Sequence, residues 1–325
     1  MMLRQLPTEV IWTLAGIFGL LVTSSLLVTF RRRIKPQGNS DELAARVRTW
    51  WVIATLFTLA LISNHGVAVA FFAFVSFLAL KEYLSLIPTR RADRRVLFWA
   101  YVSIPFQYYW VYAEWYGMFI IFIPVYVFLL LPVRTVMIGK TEGFVRAMGT
   151  VHWGLMTTVF SLSHAAYLLI LQSNESARLQ PSWPSQQAAQ EPGVGLLVTL
   201  VMLTQLNDVA QYVWGKSFGR IRVVPRVSPG KTLAGLAGGV ATTVVLAALI
   251  GPLLTVMDWK RSLIAGLIIG LGGFAGDLSI SSLKRDLGVK DSGSSLPGHG
   301  GILDRLDSLT YTAPLFFHYV YYLYF

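Results

Sequence analysis

Cysteine is absent from this chain of 325 residues, and charged residues are scarce, at 13%. The lack of cysteine excludes a disulfide framework and any metal site built on thiolates. Soluble domains carry roughly a quarter charged residues. A chain that is 54% hydrophobic and so poor in charge is therefore typical of an integral membrane protein.

Long apolar runs indicate the fold class. A helix that crosses a bilayer needs about 20 mostly apolar residues, and ten runs meet or approach that length. We therefore predict an all-α polytopic membrane protein with about ten transmembrane helices. The predicted spans are 10–30, 50–64, 66–80, 96–113, 116–132, 150–171, 195–214, 233–257, 262–281 and 306–325. The second and third runs are short, so they form either two tight spans or one broken element.

The basic residues lie in alternate loops. Loops 31–49, 81–95, 133–149, 215–232 and 282–305 hold 23 of the 27 Lys and Arg residues. Because cytoplasmic loops of membrane proteins are enriched in Lys and Arg, this pattern predicts that these loops face the cytosol and that both termini lie outside. The net charge of +11 is then mostly a topology signal, and we expect no nucleic-acid partner.

Two acids lie inside predicted spans. Asp208 and Asp277 are each about 10 Å from the cytosolic end of their helix, given a rise of about 1.5 Å per residue. An acid within a bilayer costs about 3 kcal/mol and usually faces a partner or a wet cavity. The matching depth therefore favours a shared polar pocket. A structural hydrogen bond or ion pair is the alternative for either acid.

More polar side chains follow Asp277. Asp277, Ser281 and Lys284 share one helix face, and Asp304 and Asp307 share a face at the start of the last span. Asp277 can thus meet Asp304 across the pocket, with Asp307 one turn deeper. Carboxylates bind Mg²⁺ together with substrate phosphates and water, and two such ions can clamp a phosphoryl displacement. The alternative is that the last two acids only complement the helix dipole.

Two loops supply further candidates. The stretch 297–301 contains glycines that let backbone N–H groups approach an anion. Within it, His299 can donate to a phosphate or shuttle a proton, although a plain turn is the alternative. The loop after the seventh span lacks the first glycine of a P-loop. It can still present Ser228 and Lys231 to phosphates.

The ninth span carries two glycine pairs, Gly266 with Gly270 and Gly272 with Gly276. No strand precedes them, so a dinucleotide fingerprint is a weak interpretation. Small residues four apart are typical of close packing between membrane helices. We therefore predict that these glycines let neighbouring helices approach around the pocket.

The stretch from Ser281 to Asp307 resembles the signature of phosphatidate cytidylyltransferases, also called CDP-diacylglycerol synthases. The matching positions are Ser281, Lys284, Arg285, Lys290, Asp291, Gly293, Leu296, Pro297, His299, Gly300, Gly301, Asp304, Arg305 and Asp307. The segment 208–232 resembles a second, more variable block of the family. The chain departs from that family at Ala234, where a glutamate is frequent, and at Gln211, where a small residue is usual.

The resemblance implies transfer of CMP from CTP to phosphatidic acid, which gives CDP-diacylglycerol and pyrophosphate. We assign Mg²⁺ to Asp277, Asp304 and Asp307, as two divalent ions or as one with a monovalent cation. The predicted catalytic residues are Asp277, Lys284, Asp291, His299, Asp304 and Asp307. The predicted substrate-binding residues are Ser228, Lys231, Ser281, Arg285, Lys290 and Arg305, with Arg285 and Arg305 assigned to the lipid phosphate.

Residues 1–149 are expected to form a transmembrane scaffold, and residues 150–325 the catalytic region, in the inner membrane of a bacterium. A homodimer is left open. One alternative is an ion-coupled transporter or channel that uses Asp208 and Asp277 as an ion relay. The other alternative is a CTP-using enzyme that acts on a different lipid.

Overall fold

Helices account for nearly all of the regular structure. The computed structural model describes residues 6–34, 40–87, 94–137, 139, 142–171 and 192–325. Within these ranges the chain forms helices and loops but no strand, apart from two isolated bridges. The predicted all-α fold class is therefore confirmed.

The helices follow the apolar runs of the sequence. They are α1 (Thr8–Ile34), α2 (Ser40–Ile62), α3 (His65–Leu86), α4 (Arg94–Tyr112), α5 (Tyr116–Val136), α6 (Phe144–Ile170), α7 (Pro192–Phe218), α8 (Leu233–Leu254), α9 (Trp259–Asp286), α10 (Leu303–Leu306) and α11 (Leu309–Tyr324). Helices α5 and α6 contain π-helical turns at Phe122–Val127 and Met156–Phe160.

Eight of these helices, all except α4, α10 and α11, are long and apolar enough to cross a membrane, by length and composition. The predicted spans 96–113 and 306–325 form α4 and α11, for which crossing the membrane stays a prediction. The predicted basic loops 31–49, 81–95 and 133–149 each include residues outside the described ranges.

The short second and third runs form two separate helices rather than one broken element. The side chain of Asn64 caps α3 by accepting a hydrogen bond from the Val67 N–H at 2.9 Å, and a capping Asn starts a helix. Both helices extend beyond the predicted spans, α2 at its start and α3 at its end. Arg, Lys and Glu are good helix formers, so a helix can continue past the apolar run that identifies it.

The two glycine pairs of α9 lie at close helix contacts, as predicted. A Cβ atom on Gly266 would lie 2.8 Å from the Val244 Cα on α8. A Cβ atom on Gly276 would lie 2.5 Å from the Asp307 carbonyl oxygen, beside α11. Helix α9 is therefore pressed between α8 and α11, which brings the acids of the C-terminal helices together.

The outer faces of α1 and α8 are apolar. Leu20 and Leu26 on α1 and Leu249 on α8 are all more than 60% exposed. Exposed apolar surface of this extent is unusual on a soluble monomer, whereas hydrocarbon chains accept it. The structure and the composition agree on an integral membrane protein.

Candidate active site

Three carboxylates from different parts of the chain form the first half of the site. Asp208 lies on α7, Asp277 on α9 and Asp307 just before α11, and each interacts electrostatically with the other two. The Ser308 hydroxyl donates to both oxygens of Asp208 at 3.0 Å. The Ser308 N–H donates to Asp307 Oδ1 at 2.7 Å. These half-buried acids, Asp208, Asp277 and Asp307, are called the acid cluster.

Lys231 is the cation in direct contact with the acid cluster, as far as the described residues show. Its Nζ lies 2.5 Å from Asp277 Oδ2 and 3.0 Å from Gln211 Oε1. The Lys231 and Asp277 side chains are 17% and 21% exposed, so the pair is reachable from solvent. Three acids thus lie together with a single lysine in direct contact.

Asp304 has a different environment at the start of α10. Its Oδ1 lies 2.6 Å from Lys284 Nζ. Its Oδ2 accepts hydrogen bonds from the N–H groups of Ser292, at 2.8 Å, and Gly301, at 3.0 Å. Burial alone would raise the pKa of Asp304, but Lys284 and the two amides outweigh it and hold the pKa below its usual value. Asp304 is therefore an ionised, buried and fully bonded carboxylate.

Glu82, near the end of α3, is the site residue that sequence analysis missed. Its carboxylate accepts hydrogen bonds from the N–H groups of Ile302 at 3.0 Å and Leu303 at 2.9 Å. The hydroxyls of Ser292 and Ser295 donate to it as well. Glu82 is only 8% exposed. It lies more than 200 residues before these partners, so no local spacing pattern could reveal the contact.

The loop between α9 and α10, residues 287–302, is called the glycine-rich loop, and Glu82 and Asp304 are called the loop anchor. Helix α2 holds the tip of this loop. Arg46 Nε donates to the Gly298 carbonyl at 3.1 Å, and the Thr49 hydroxyl donates to the Pro297 carbonyl at 2.8 Å. Gly298 has φ = +77°, a conformation that favours glycine.

His299 and Arg305, two of the predicted site residues, lie close to each other at the glycine-rich loop. Burial, followed by the positive charges of Arg305 and Arg46, lowers the pKa of His299, so this imidazole is neutral at pH 7. The Arg305 Nε atom is buried and has no hydrogen-bond partner among the described residues. A guanidinium with an unused donor is suited to bind an oxyanion such as phosphate.

The rest of the predicted set lies around the acid cluster and at the rim. Ser281 Oγ donates to Asp277 Oδ1 at 3.1 Å, which confirms the shared helix face. Arg285 Nε donates to the Val227 carbonyl at 3.1 Å and so joins the end of α9 to the loop before α8. The exposed or half-buried remainder is Ser228, Lys290 and Asp291.

Asp208 and Asp277 lie close enough to interact, as the predicted shared pocket requires, and Asp307 joins them as a third acid. The contacts of Asp304, by contrast, are with Lys284 and the glycine-rich loop. No group of three or more His, Asp or Glu side chains in the described ranges is arranged to hold a metal ion. The Mg²⁺ assignment to Asp277, Asp304 and Asp307 therefore stays a prediction.

Comparison with known proteins adds the family. A model of the cytidylyltransferase family matches residues 44–323 of this chain. The chain belongs to the cytidylyltransferase family. The resemblance drawn from the signature residues is thereby confirmed, and this cytidylyltransferase is a nucleotidyltransferase. The family match begins before Arg46 and includes Glu82, so it extends well beyond the signature.

Individual relatives fall into two groups. The chain is 43% identical over 310 residues to the uncharacterized protein YnbB of Escherichia coli strain K12, covering 95% of this cytidylyltransferase and 98% of that protein. It is 42% identical over 142 residues to a phosphatidate cytidylyltransferase of Synechocystis, covering 42% of this chain and 48% of the relative. For the Haemophilus influenzae phosphatidate cytidylyltransferase the identity is 40% over 135 residues, covering 40% and 46%. The match thus spans about half the length of these two enzymes.

Proposed function

We propose that this enzyme is a phosphatidate cytidylyltransferase that transfers CMP from CTP to phosphatidic acid and releases pyrophosphate. The acid cluster carries the proposal, because three half-buried acids with one lysine in direct contact lie together beside two loops rich in Lys and Arg. The names of the two relatives matched over 142 and 135 residues support the same reaction.

The donor set of the acid cluster suits a divalent cation. Mg²⁺ is usually held by one or two carboxylates together with substrate phosphates and water. We assign Asp277 and Asp307 as ligands, with Asp208 beside them. Asp304 has both oxygens engaged by Lys284 and backbone amides, so we assign it to holding the loop. A bound cation would neutralise charge on the reacting phosphates, and the number of ions is left open.

Lys231 is the group best placed to bind the phosphates of CTP. Its ammonium lies 2.5 Å from Asp277 and belongs to a loop that also carries Ser228. Lys290, exposed on the glycine-rich loop, can reach the same nucleotide from the other side. Charge-assisted bonds from such groups favour a developing pyrophosphate.

The lipid phosphate is the nucleophile in this proposal. One of its oxygens forms a bond to the α-phosphorus of CTP while the bond from that phosphorus to the β-phosphate oxygen breaks, and the electron pair leaves with pyrophosphate. The phosphate is already anionic, so no side chain needs to remove a proton. Arg305, with its unused Nε donor, is assigned to orient the lipid phosphate, and most of the catalysis is positioning.

The topology follows the charge pattern. We propose that the loops rich in Lys and Arg face the cytosol, that CTP enters from there, and that the lipid enters from the inner leaflet. The enzyme would then lie in the inner membrane of a bacterium, with both termini on the side of that membrane away from the cytosol. The bacterial relatives are consistent with that location.

The test is an assay of the detergent-purified enzyme with Mg²⁺, phosphatidic acid and CTP labelled at the α-phosphate. We expect one labelled CDP-diacylglycerol on thin-layer plates for each pyrophosphate released. Labelled product from another lipid but not from phosphatidic acid would establish a CTP-using enzyme for that lipid instead. Ion flux in proteoliposomes that needs Asp208 but no nucleotide would establish the transporter.

A further inference from the structure

We propose that Glu82, on a helix of the N-terminal half, is a positioning residue that sets the geometry of the catalytic residues on and after α10. Only the activity measurement that tests this role depends on the proposed function. The structural part of the inference stands on the contacts of Glu82 alone.

Glu82 binds at the start of α10. Ile302 and Leu303 supply the first N–H groups of α10, which have no partner within their own helix. The carboxylate accepts both hydrogen bonds, at 3.0 and 2.9 Å, and a negative charge there also complements the helix dipole. Glu82 therefore fixes the start of the segment that carries Asp304 and leads to Asp307.

The two members of the loop anchor, Glu82 and Asp304, both bind the glycine-rich loop. The hydroxyl of Ser292 donates to Glu82, while the backbone N–H of Ser292 donates to Asp304 at 2.8 Å. Asp304 in turn is paired with Lys284 of α9. The glycine-rich loop is thus clamped between a carboxylate from α3 and a carboxylate from its own end.

Glu82 also accounts for two glycines of the loop. A Cβ atom on Gly301 would overlap Glu82 Oε1, and a Cβ atom on Gly293 would lie 3.0 Å from Glu82 Oε2. From the sequence we predict that the glycines of 297–301 let a substrate anion approach. At Gly301 and Gly293 the anion that approaches closely is the protein's own carboxylate.

Both oxygens of the Glu82 side chain are needed as acceptors. Four donors point at its two oxygens, two backbone amides and two hydroxyls. An amide in its place keeps a single acceptor oxygen and turns an NH₂ group toward donors. Buried donors left without an acceptor destabilise the local structure, so Glu82→Gln should loosen the loop while leaving the volume of the side chain unchanged.

The primary test is hydrogen–deuterium exchange on the full-length protein in detergent. In E82Q we expect the amides of residues 292–303 to exchange about tenfold faster, while those of α7 and α9 keep their wild-type rates. The matched control is E142Q, the same change at an exposed glutamate. It should leave the exchange rates of residues 292–303 and of α7 and α9 at their wild-type values. Unchanged exchange of 292–303 in E82Q would overturn the proposal.

The second readout separates positioning from general destabilisation. In E82Q we expect kcat for CMP transfer to fall by about 10- to 100-fold. The KM for CTP should stay close to wild type, because Lys231 and Ser228 belong to a different loop and Lys290 lies outside the loosened residues 292–303. A loss of activity carried by KM for CTP, or an equal loss in E142Q, would contradict the assignment.

If E82Q does not fold, the double variant S292A/S295A replaces it in the exchange experiment as a milder change, since it removes only the two hydroxyl donors to Glu82. We expect faster exchange confined to the same loop, and wild-type exchange there would again overturn the proposal. If the wild-type enzyme shows no CMP transfer, the proposed function fails while the exchange experiment still decides the role of Glu82.

Discussion

The acid cluster and the loop anchor both consist of carboxyl groups. Those of the loop anchor have many hydrogen-bond partners, and those of the acid cluster have few. The two carboxylates of the loop anchor are buried and are matched by one lysine, four backbone amides and two hydroxyls. The three carboxylates of the acid cluster are half-buried and share Lys231, Ser281 and Ser308. A buried carboxylate is stable only when its oxygens have partners.

This difference separates structural from functional acids. The oxygens of the loop anchor are occupied by the protein, so they are suited to hold the glycine-rich loop in one conformation. The acid cluster brings three acids together with one lysine in direct contact, and such a site is suited to a cation and phosphates. The same residue type therefore has two roles a short distance apart on α9, α10 and the start of α11.

The strongest test of these two roles is to neutralise one acid from each group. We expect Asp277→Asn to lower CMP transfer by about 100- to 1,000-fold with little change in thermal stability, because the acids around it repel one another. Asp304→Asn should instead lower stability by about 3 kcal/mol, since it leaves Lys284 as a buried unpaired charge.

Activity on labelled CTP and thermal unfolding in detergent measure the two effects on the same preparations. The reverse result, with D277N unstable and D304N stable but inactive, would exchange the two roles. Full activity of D277N would remove the acid cluster from the mechanism altogether.

Lys231 gives a smaller and more specific test. If the acid cluster holds a divalent ion, Lys231 competes with that ion for Asp277. We expect Lys231→Met to tighten Mn²⁺ binding about threefold in the absence of nucleotide, as one charge at a partly exposed site would. The same change should raise the KM for CTP about tenfold, because a charged hydrogen bond to phosphate is lost.

Spin-resonance titration of free Mn²⁺ measures the first effect, and initial rates measure the second. Lys260→Met is the control, because Lys260 lies near the start of α9 over the Trp259 ring and far along the helix from the cluster. Weaker Mn²⁺ binding in K231M would show that Lys231 supports the ion rather than competes with it.

The sequence predicted much of this arrangement because its signals are local. Apolar runs gave the helices, the spacing of Asp277 and Ser281 gave one helix face, and equal depth placed Asp208 in the same pocket. The glycine pairs of α9 gave the close packing against α8 and α11.

What could not be predicted depends on contacts between distant segments. The pairing of Asp304 with Lys284 follows from how the glycine-rich loop folds back on α9, which no periodicity encodes. Glu82 stands at the edge of a predicted basic loop and looks like a solvated charge. Its role appears only when α3 is placed beside α10.

The tip of the glycine-rich loop offers the smallest and most local test of whether N-terminal helices shape the site. Gly298 and Gly288 have similar positive φ angles, +77° and +71°. A Cβ atom on Gly298 would lie 3.1 Å from the backbone N of Arg46 on α2, whereas one on Gly288 would have no neighbour within 4 Å. Alanine at either position should lower the free energy of unfolding by a similar amount, about 1 kcal/mol, because of the positive φ angle.

Only Gly298→Ala should also displace the loop from α2. We therefore expect G298A to lose more stability than G288A in thermal unfolding, and G298A alone to lose CMP transfer, by about three- to fivefold, the effect of weakening one or two hydrogen bonds. Equal activity in the two variants would mean that α2 holds the tip of the loop without affecting the reaction. In that case Glu82 would remain as a contact through which the N-terminal half can influence the site.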